Sequence, residues 1–166
     1  LLLSSTPGCG VGCACPAQGC TSSDVGTAGS ITIRPPATAE LIGAIEGPAG
    51  AYPGDVFTAS VAVSNVGLAA AGAFQAELRL SADANIDSND TLLRTLPYPG
   101  LAAGVTSSQT VSLTMPAGLP VARYYLGLIV DSTGVITESV EVNNAARDPG
   151  GIVTGPDLQG TVAAQL

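Results

Sequence analysis

The chain has no lysine, no histidine and no tryptophan, and its five basic residues, all arginine, stand against 13 acidic ones for a formal net charge of -8 over 166 residues. Each absence excludes something. Without a basic stripe no counterions are released on meeting a phosphate backbone, so a DNA or RNA partner is not expected. Without histidine there can be no Ser-His-Asp or Cys-His pair, no imidazole metal ligand and no CxxCH haem attachment. Without lysine there is no Schiff base and no P-loop. Carboxylates, Tyr, Arg, Cys and Ser remain, and no nucleophile with an activating base can be assembled from them, so no catalytic residue is expected. Aromatic residues make up only 4% and charged residues 11%, against 46% hydrophobic residues with 21 Gly and 12 Pro. That is the palette of a turn-rich all-β chain, too apolar to be disordered. The uncharged runs over 56–76 and 95–122 are broken by Gly, Ser, Asn, Thr or Pro, so no membrane-spanning helix is expected.

The length fits one domain with an arm. Three regions follow: a Cys/Gly/Pro-rich arm over 1–37, a strand-rich domain over 38–155, and a terminal strand over 156–166. The arm opens on Leu1, Leu2 and Leu3 without Met, as a processed mature chain or a fragment boundary does, and this apolar tip is a candidate assembly contact. All four cysteines, Cys9, Cys13, Cys15 and Cys20, fall within the arm. Their even number in a Gly/Pro-rich segment points to disulfides formed in an oxidising compartment, with three possible pairings. A thiolate-bound metal or iron-sulfur cluster is the alternative, though the spacing holds no CxxC knuckle.

Beyond residue 38 apolar and polar residues alternate. Phe57, Ala59, Val61 and Val63 share one face, and Phe74, Ala76, Leu78 and Leu80 form a second inward row, with Gln75, Glu77 and Arg79 turned outward. Outward Glu77 is therefore expected to be replaceable without loss. Val111, Leu113 and Met115 make a third row, and Tyr124, Leu126, Leu128 and Val130 a fourth. Pro- and Gly-containing turn signals separate the rows, and nothing has helical period. The spacing predicts a two-sheet antiparallel sandwich of about seven strands.

Four stretches carry a family resemblance: Ala51-Tyr-Pro-Gly-Asp-Val-Phe-Thr-Ala-Ser-Val-Ala-Val-Ser-Asn65, Leu78-Arg-Leu-Ser-Ala-Asp-Ala-Asn-Ile-Asp-Ser-Asn-Asp-Thr-Leu-Leu93, Tyr124-Tyr-Leu-Gly-Leu-Ile-Val-Asp131 and Glu138-Ser-Val-Glu-Val-Asn-Asn144. In this order they resemble the CARDB domain, the cell-adhesion-related domain found in bacteria, over residues 38 to 154. The resemblance implies an immunoglobulin-like or fibronectin-III-like sandwich in an extracellular or surface-attached prokaryotic protein, often in tandem repeats, with no activity of its own. One departure stands out. The family's polar run before the last strand here carries Val140 and Val142, an apolar pair that implies a covered surface in the assembled protein.

Other local features have two readings. Asp83, Asn85, Asp87, Asn89 and Asp90 offer oxygen ligands as calcium loops do, but Ser88 and Arg94 stand where an EF-hand needs Gly and Glu, and Asx-capped turns explain the same residues. Tyr124 reads as a tyrosine-corner anchor. Glu138 and Glu141, three apart on a strand, fall on opposite faces and read as a solvated hairpin edge. Most informative is a repeated strand: Glu40-Leu-Ile-Gly-Ala-Ile-Glu46 recurs 117 residues later as Asp157-Leu-Gln-Gly-Thr-Val-Ala163, keeping its acid, Leu, Gly and β-branched positions. Asp157, Leu158, Gly160 and Val162 thus form the first strand of a further repeat, an ordinary last strand alike by chance, or a strand that pairs with a neighbouring subunit. Two functions remain: a subunit that assembles with itself head to tail into a surface filament, and a binding or spacer module from a larger multi-repeat surface protein.

Overall fold

The computed structural model describes residues 37–155. Cys9, Cys13, Cys15, Cys20 and the Leu1–Leu3 tip lie outside the described residues, as do Asp157, Leu158, Gly160 and Val162. Among the described residues eight strands are formed: β1 (Leu41–Glu46), β2 (Val56–Asn65), β3 (Phe74–Ser81), β4 (Thr91–Tyr98), β5 (Thr106–Thr114), β6 (Arg123–Val130), β7 (Ala145–Arg147) and β8 (Ile152–Val153). One sheet runs β1-β2-β5 and the other β4-β3-β6-β7, with β8 also pairing β6. Every strand pairing is antiparallel. The architecture is the expected all-β sandwich, with eight strands rather than about seven because two short strands share β6 as partner.

The four alternating rows meet between the sheets. Phe57, Ala59, Val61 and Val63 of β2 and Val111 and Leu113 of β5 are buried from one side. From the other come Phe74, Ala76, Leu78 and Leu80 of β3 and Tyr124, Leu126, Leu128 and Val130 of β6, all buried. β4 adds Leu96 and Tyr98, the latter stacked on Phe74 with ring centroids 4.9 Å apart. The Tyr124 hydroxyl donates to the Pro120 carbonyl at 3.3 Å, four residues upstream, fixing the bend into β6.

The outer face of the second sheet differs from the sequence expectation. Arg79 has the outward phase of β3 yet is buried, because the 82–90 loop folds back over it. Its guanidinium donates to the carbonyls of Ser88 at 2.9 Å and Asp90 at 2.8 Å and pairs with the Glu77 carboxylate. Beside it Ile86 is pressed onto Gly127 of β6, opposite Arg79 in register. A Cβ at Gly127 would lie 2.4 Å from Ile86 Cγ2, so glycine is needed there for the loop to close. Glu77 is therefore a counterion and not an idle solvent-facing residue.

Candidate functional site

Strand direction sorts the loops into two poles. The chain enters β1 at an upper pole, where the 66–73, 99–105 and 131–144 loops gather, and the 47–55, 82–90, 115–122 and 148–155 segments lie at the lower one. It leaves the described sandwich at the lower pole, with Gly155 against the Tyr52 ring. Most exposed large apolar side chains follow the same division, Ile42 and Leu92 lying instead on β1 and β4. Val66, Leu68, Val105, Val135, Val140 and Val142 are exposed at the upper pole, and Tyr52, Val56, Val121 and Val153 at the lower.

The upper pole is held by two polar hubs. Asn65, the last residue of β2, is fully buried and uses both ends of its amide. Its Oδ1 accepts from the backbone N–H groups of Glu40 at 3.2 Å and Gly67 at 3.1 Å, and its Nδ2 donates to the carbonyls of Ala69 at 2.8 Å and Leu101 at 2.9 Å. One side chain thus ties together the entering chain and two loops. Its amide capacity is fully used, which is why a buried Asn is tolerated there. The sequence marks this position only as part of an Asn-Val-Gly turn.

The second hub is reciprocal. Glu138 is buried, and its carboxylate accepts from the Leu41 backbone N–H and from Asn144 Nδ2 at 2.9 Å. Glu40, also buried, accepts in return from the Val140 N–H at 2.9 Å and from Asn143 Nδ2 at 2.7 Å. Glu141 accepts from the Glu138 N–H at 2.8 Å. The 138–144 segment is therefore not a solvated hairpin edge: its two glutamates act on different partners, and Glu138 clamps the start of β1. A second carboxylate, Asp148, is buried at the other end of the strand and accepts from the Gly47 N–H at 3.1 Å. Among the described residues β1 pairs only with β2, so these two clamps bracket the edge of its sheet.

Burial pushes the Glu138 carboxyl above its usual range; the Leu41 and Asn144 hydrogen bonds pull it back, and the nearby Glu141 and Glu40 carboxylates add to the rise. The folded protein therefore holds this proton more tightly than the unfolded chain does. Its contribution to stability is complete below about pH 4.3, the unfolded value, and is lost as pH rises through the raised folded value. Accordingly, the melting temperature of the wild type relative to Glu138→Gln is expected to be more favourable at pH 4.5 than at pH 7. A difference that moves the other way in thermal melts would mean the carboxylate is net stabilised as the anion.

The 83–90 loop binds itself. Asp83 Oδ1 accepts from the Asn85 N–H at 2.8 Å, Asp87 Oδ1 from the Asn89 N–H at 2.7 Å, and Asp90 Oδ2 from the Asp87 N–H at 2.8 Å. Asn85 Nδ2 donates to Asp87 Oδ2 at 3.1 Å. The bonds to Asp83 and Asp87 from the N–H two residues on are Asx turns, and the carbonyls of Ser88 and Asp90 are taken by Arg79. Among the described residues no three carboxylates are grouped as a metal site. A shallow depression of about 530 Å³ on the outer face of the β1-β2-β5 sheet is lined by small side chains such as Ala44, Ser60, Ala62, Ser108 and Thr110, with Glu46 at its margin.

The CARDB family model matches residues 38–148. The chain belongs to the CARDB family. Three solved structures agree on the fold. The CARDB domain of a Pyrococcus furiosus protein, crystallised in complex with di-metal ions, is 19% identical at a TM-score of 0.56, covering 71% of this chain and 90% of that one. The solution structure of that same Pyrococcus furiosus domain is 20% identical at a TM-score of 0.54, covering 71% and 98%. A domain spanning residues 272–376 of a protein ascribed to the cell surface of Methanosarcina acetivorans is 18% identical at 0.52, covering 72% and 94%. No curated protein matches. As a CARDB domain the chain shows what its Glu138–Asn144 run does: Glu138, Glu141, Asn143 and Asn144 are spent on the clamp, while Val140 and Val142 are 44% and 92% exposed. Among the described residues no helix is long and apolar enough to cross a membrane.

Proposed function

We propose that the chain is a non-enzymatic structural module of a prokaryotic cell surface, one that joins copies of itself head to tail into an extracellular filament by strand addition through its terminal segments. One observation carries the reading: the chain enters at one pole and leaves at the other, and both poles carry exposed valines. Unlike poles that meet make a heterologous contact, which propagates into an open filament when its rotation does not close a ring. Single exposed apolar residues are ordinary, but six at one end of a domain whose charged residues are few are apolar surface that association would bury.

The inventory without lysine or histidine supports a non-enzymatic role. We read the 83–90 loop as structural; the bonds from Arg79 to its carbonyls support that, and calcium is the alternative occupant. Cys9, Cys13, Cys15 and Cys20 are read as disulfides of an oxidising compartment that lock the arm, a thiolate-bound metal being the rival. Opposite poles serve a second reading equally well, in which the domain is a binding or spacer module within a larger multi-repeat surface protein. Electron microscopy of the native material separates the two. Filaments with an axial repeat of about one sandwich length are expected, roughly 30–40 Å from a ten-residue strand plus its loops. Monodisperse particles at the same concentration would favour the spacer.

A further inference from the structure

The β1 slot explains, position by position, which residues of the 40–46 segment recur at 157–163. Glu40 is buried and receives Val140 and Asn143; its counterpart is Asp157. Leu41 is fully buried, and Leu158 repeats it. At Gly43 an added Cβ would lie 2.8 Å from Leu128 Cδ2 and 2.9 Å from Val130 Cγ2, and Gly160 repeats the glycine. Ile45 is 3% exposed and is matched by the β-branched Val162. The three positions that do not match, Ile42, Ala44 and Glu46, are the exposed ones. Gly47, where a Cβ would be 3.1 Å from Leu126 Cδ2, is answered by the smallest side chain that has one, Ala164. Similarity confined to the positions a slot tests, and absent where it tests nothing, is similarity of fit. Chance likeness in a chain rich in small residues would not respect that division.

We infer that residues 157–163 are a donated first strand: they occupy the β1 position of a second copy of this sandwich, against β2 and under the side chains of Leu128 and Val130, in exchange for that copy's own β1. The inference rests on the head-to-tail reading for the identity of the donor. In the slot Asp157 takes the place of Glu40, the Leu158 N–H meets the Glu138 carboxylate, and Leu158 and Val162 fill the core positions of Leu41 and Ile45. β1 is the edge strand of a three-stranded sheet held at its ends by two carboxylates, so it can be exchanged without breaking into the middle of either sheet.

The test uses the full chain carrying Leu158→Asp, so that its own tail cannot compete, and a fluorescent peptide of residues 156–166. Adding Gly43→Ala crowds the resident β1 against Leu128 and Val130 and is expected to tighten peptide binding at least tenfold. Ile45→Ala, which weakens the same strand by removing a buried side chain without a clash, is expected to do the same should Gly43→Ala not fold. A Gly160→Val peptide is expected not to bind, and a Gln159→Asp peptide to bind as the parent does. Equal affinity for the chains with intact and weakened β1, or equal binding of the Gly160→Val peptide, would overturn the exchange in favour of pairing along an open edge. The two proposals fail separately. Wild-type filaments without slot-dependent peptide binding would remove this inference alone, and slot-dependent binding by a chain that stays monodisperse would remove the filament alone.

Discussion

Leu78→Asp is expected to abolish the cooperative thermal transition, because Leu78 is fully buried in the middle of β3, between β4 and β6. An unpaired carboxylate there costs several kcal/mol in desolvation in addition to the lost apolar contacts, which is on the order of the whole stability of such a domain, about 5–15 kcal/mol. One residue away, Glu77→Ala is expected to be intermediate. It strips the counterion from Arg79, whose side chain is only 11% exposed, but the carbonyls of Ser88 and Asp90 remain as acceptors. A loss of about 1–3 kcal/mol follows, visible as a lower melting midpoint with the fold intact. Circular dichroism melts of the two variants decide it. Equal, wild-type-like melts would mean the phase of β3 has been misassigned.

The rows that alternation marks are those where one face of a strand meets the core and the other meets water, as in β2. β4 escapes it for physical reasons. Only Leu96 and Tyr98 of this edge strand are buried, the pairing with β3 shifts register between Leu78 and Arg79, and Pro97 stands where an interior strand would need a donor. β7 and β8, with three and two residues, are too short to show a period. The buried polar groups escape it differently. Arg79 has the phase of a solvent-facing residue until the 82–90 loop closes over it, and nothing local announces that closure except Gly127, nearly fifty residues on. Glu138 and Glu40 form one clamp across about a hundred residues of chain, and each looks like a surface acid where it stands. Compatibility with the opposite sheet shows in local pattern; partnership between distant polar groups does not.

Removing residues 156–166 is expected to leave a sandwich that melts as the full chain does and to abolish filaments. The eight strands and the buried core of the described residues lie within 37–155, so the truncated chain keeps every described contact between the two sheets. What it loses is the segment whose Leu158, Gly160 and Val162 repeat the slot-facing positions of β1. Within that segment the effects are expected to split by strand phase. Leu158→Asp places a charge at the position of fully buried Leu41 and is expected to mimic the deletion, whereas Gln159→Asp, at the position of exposed Ile42, is expected to be tolerated. Light scattering for the polymer and calorimetry for the fold read the two consequences independently. A truncated chain that unfolds would make 156–166 an intramolecular strand of its own sandwich. One that polymerises normally would move the contact elsewhere, to the cysteine arm, because the upper pole where that arm joins β1 carries the larger group of exposed valines.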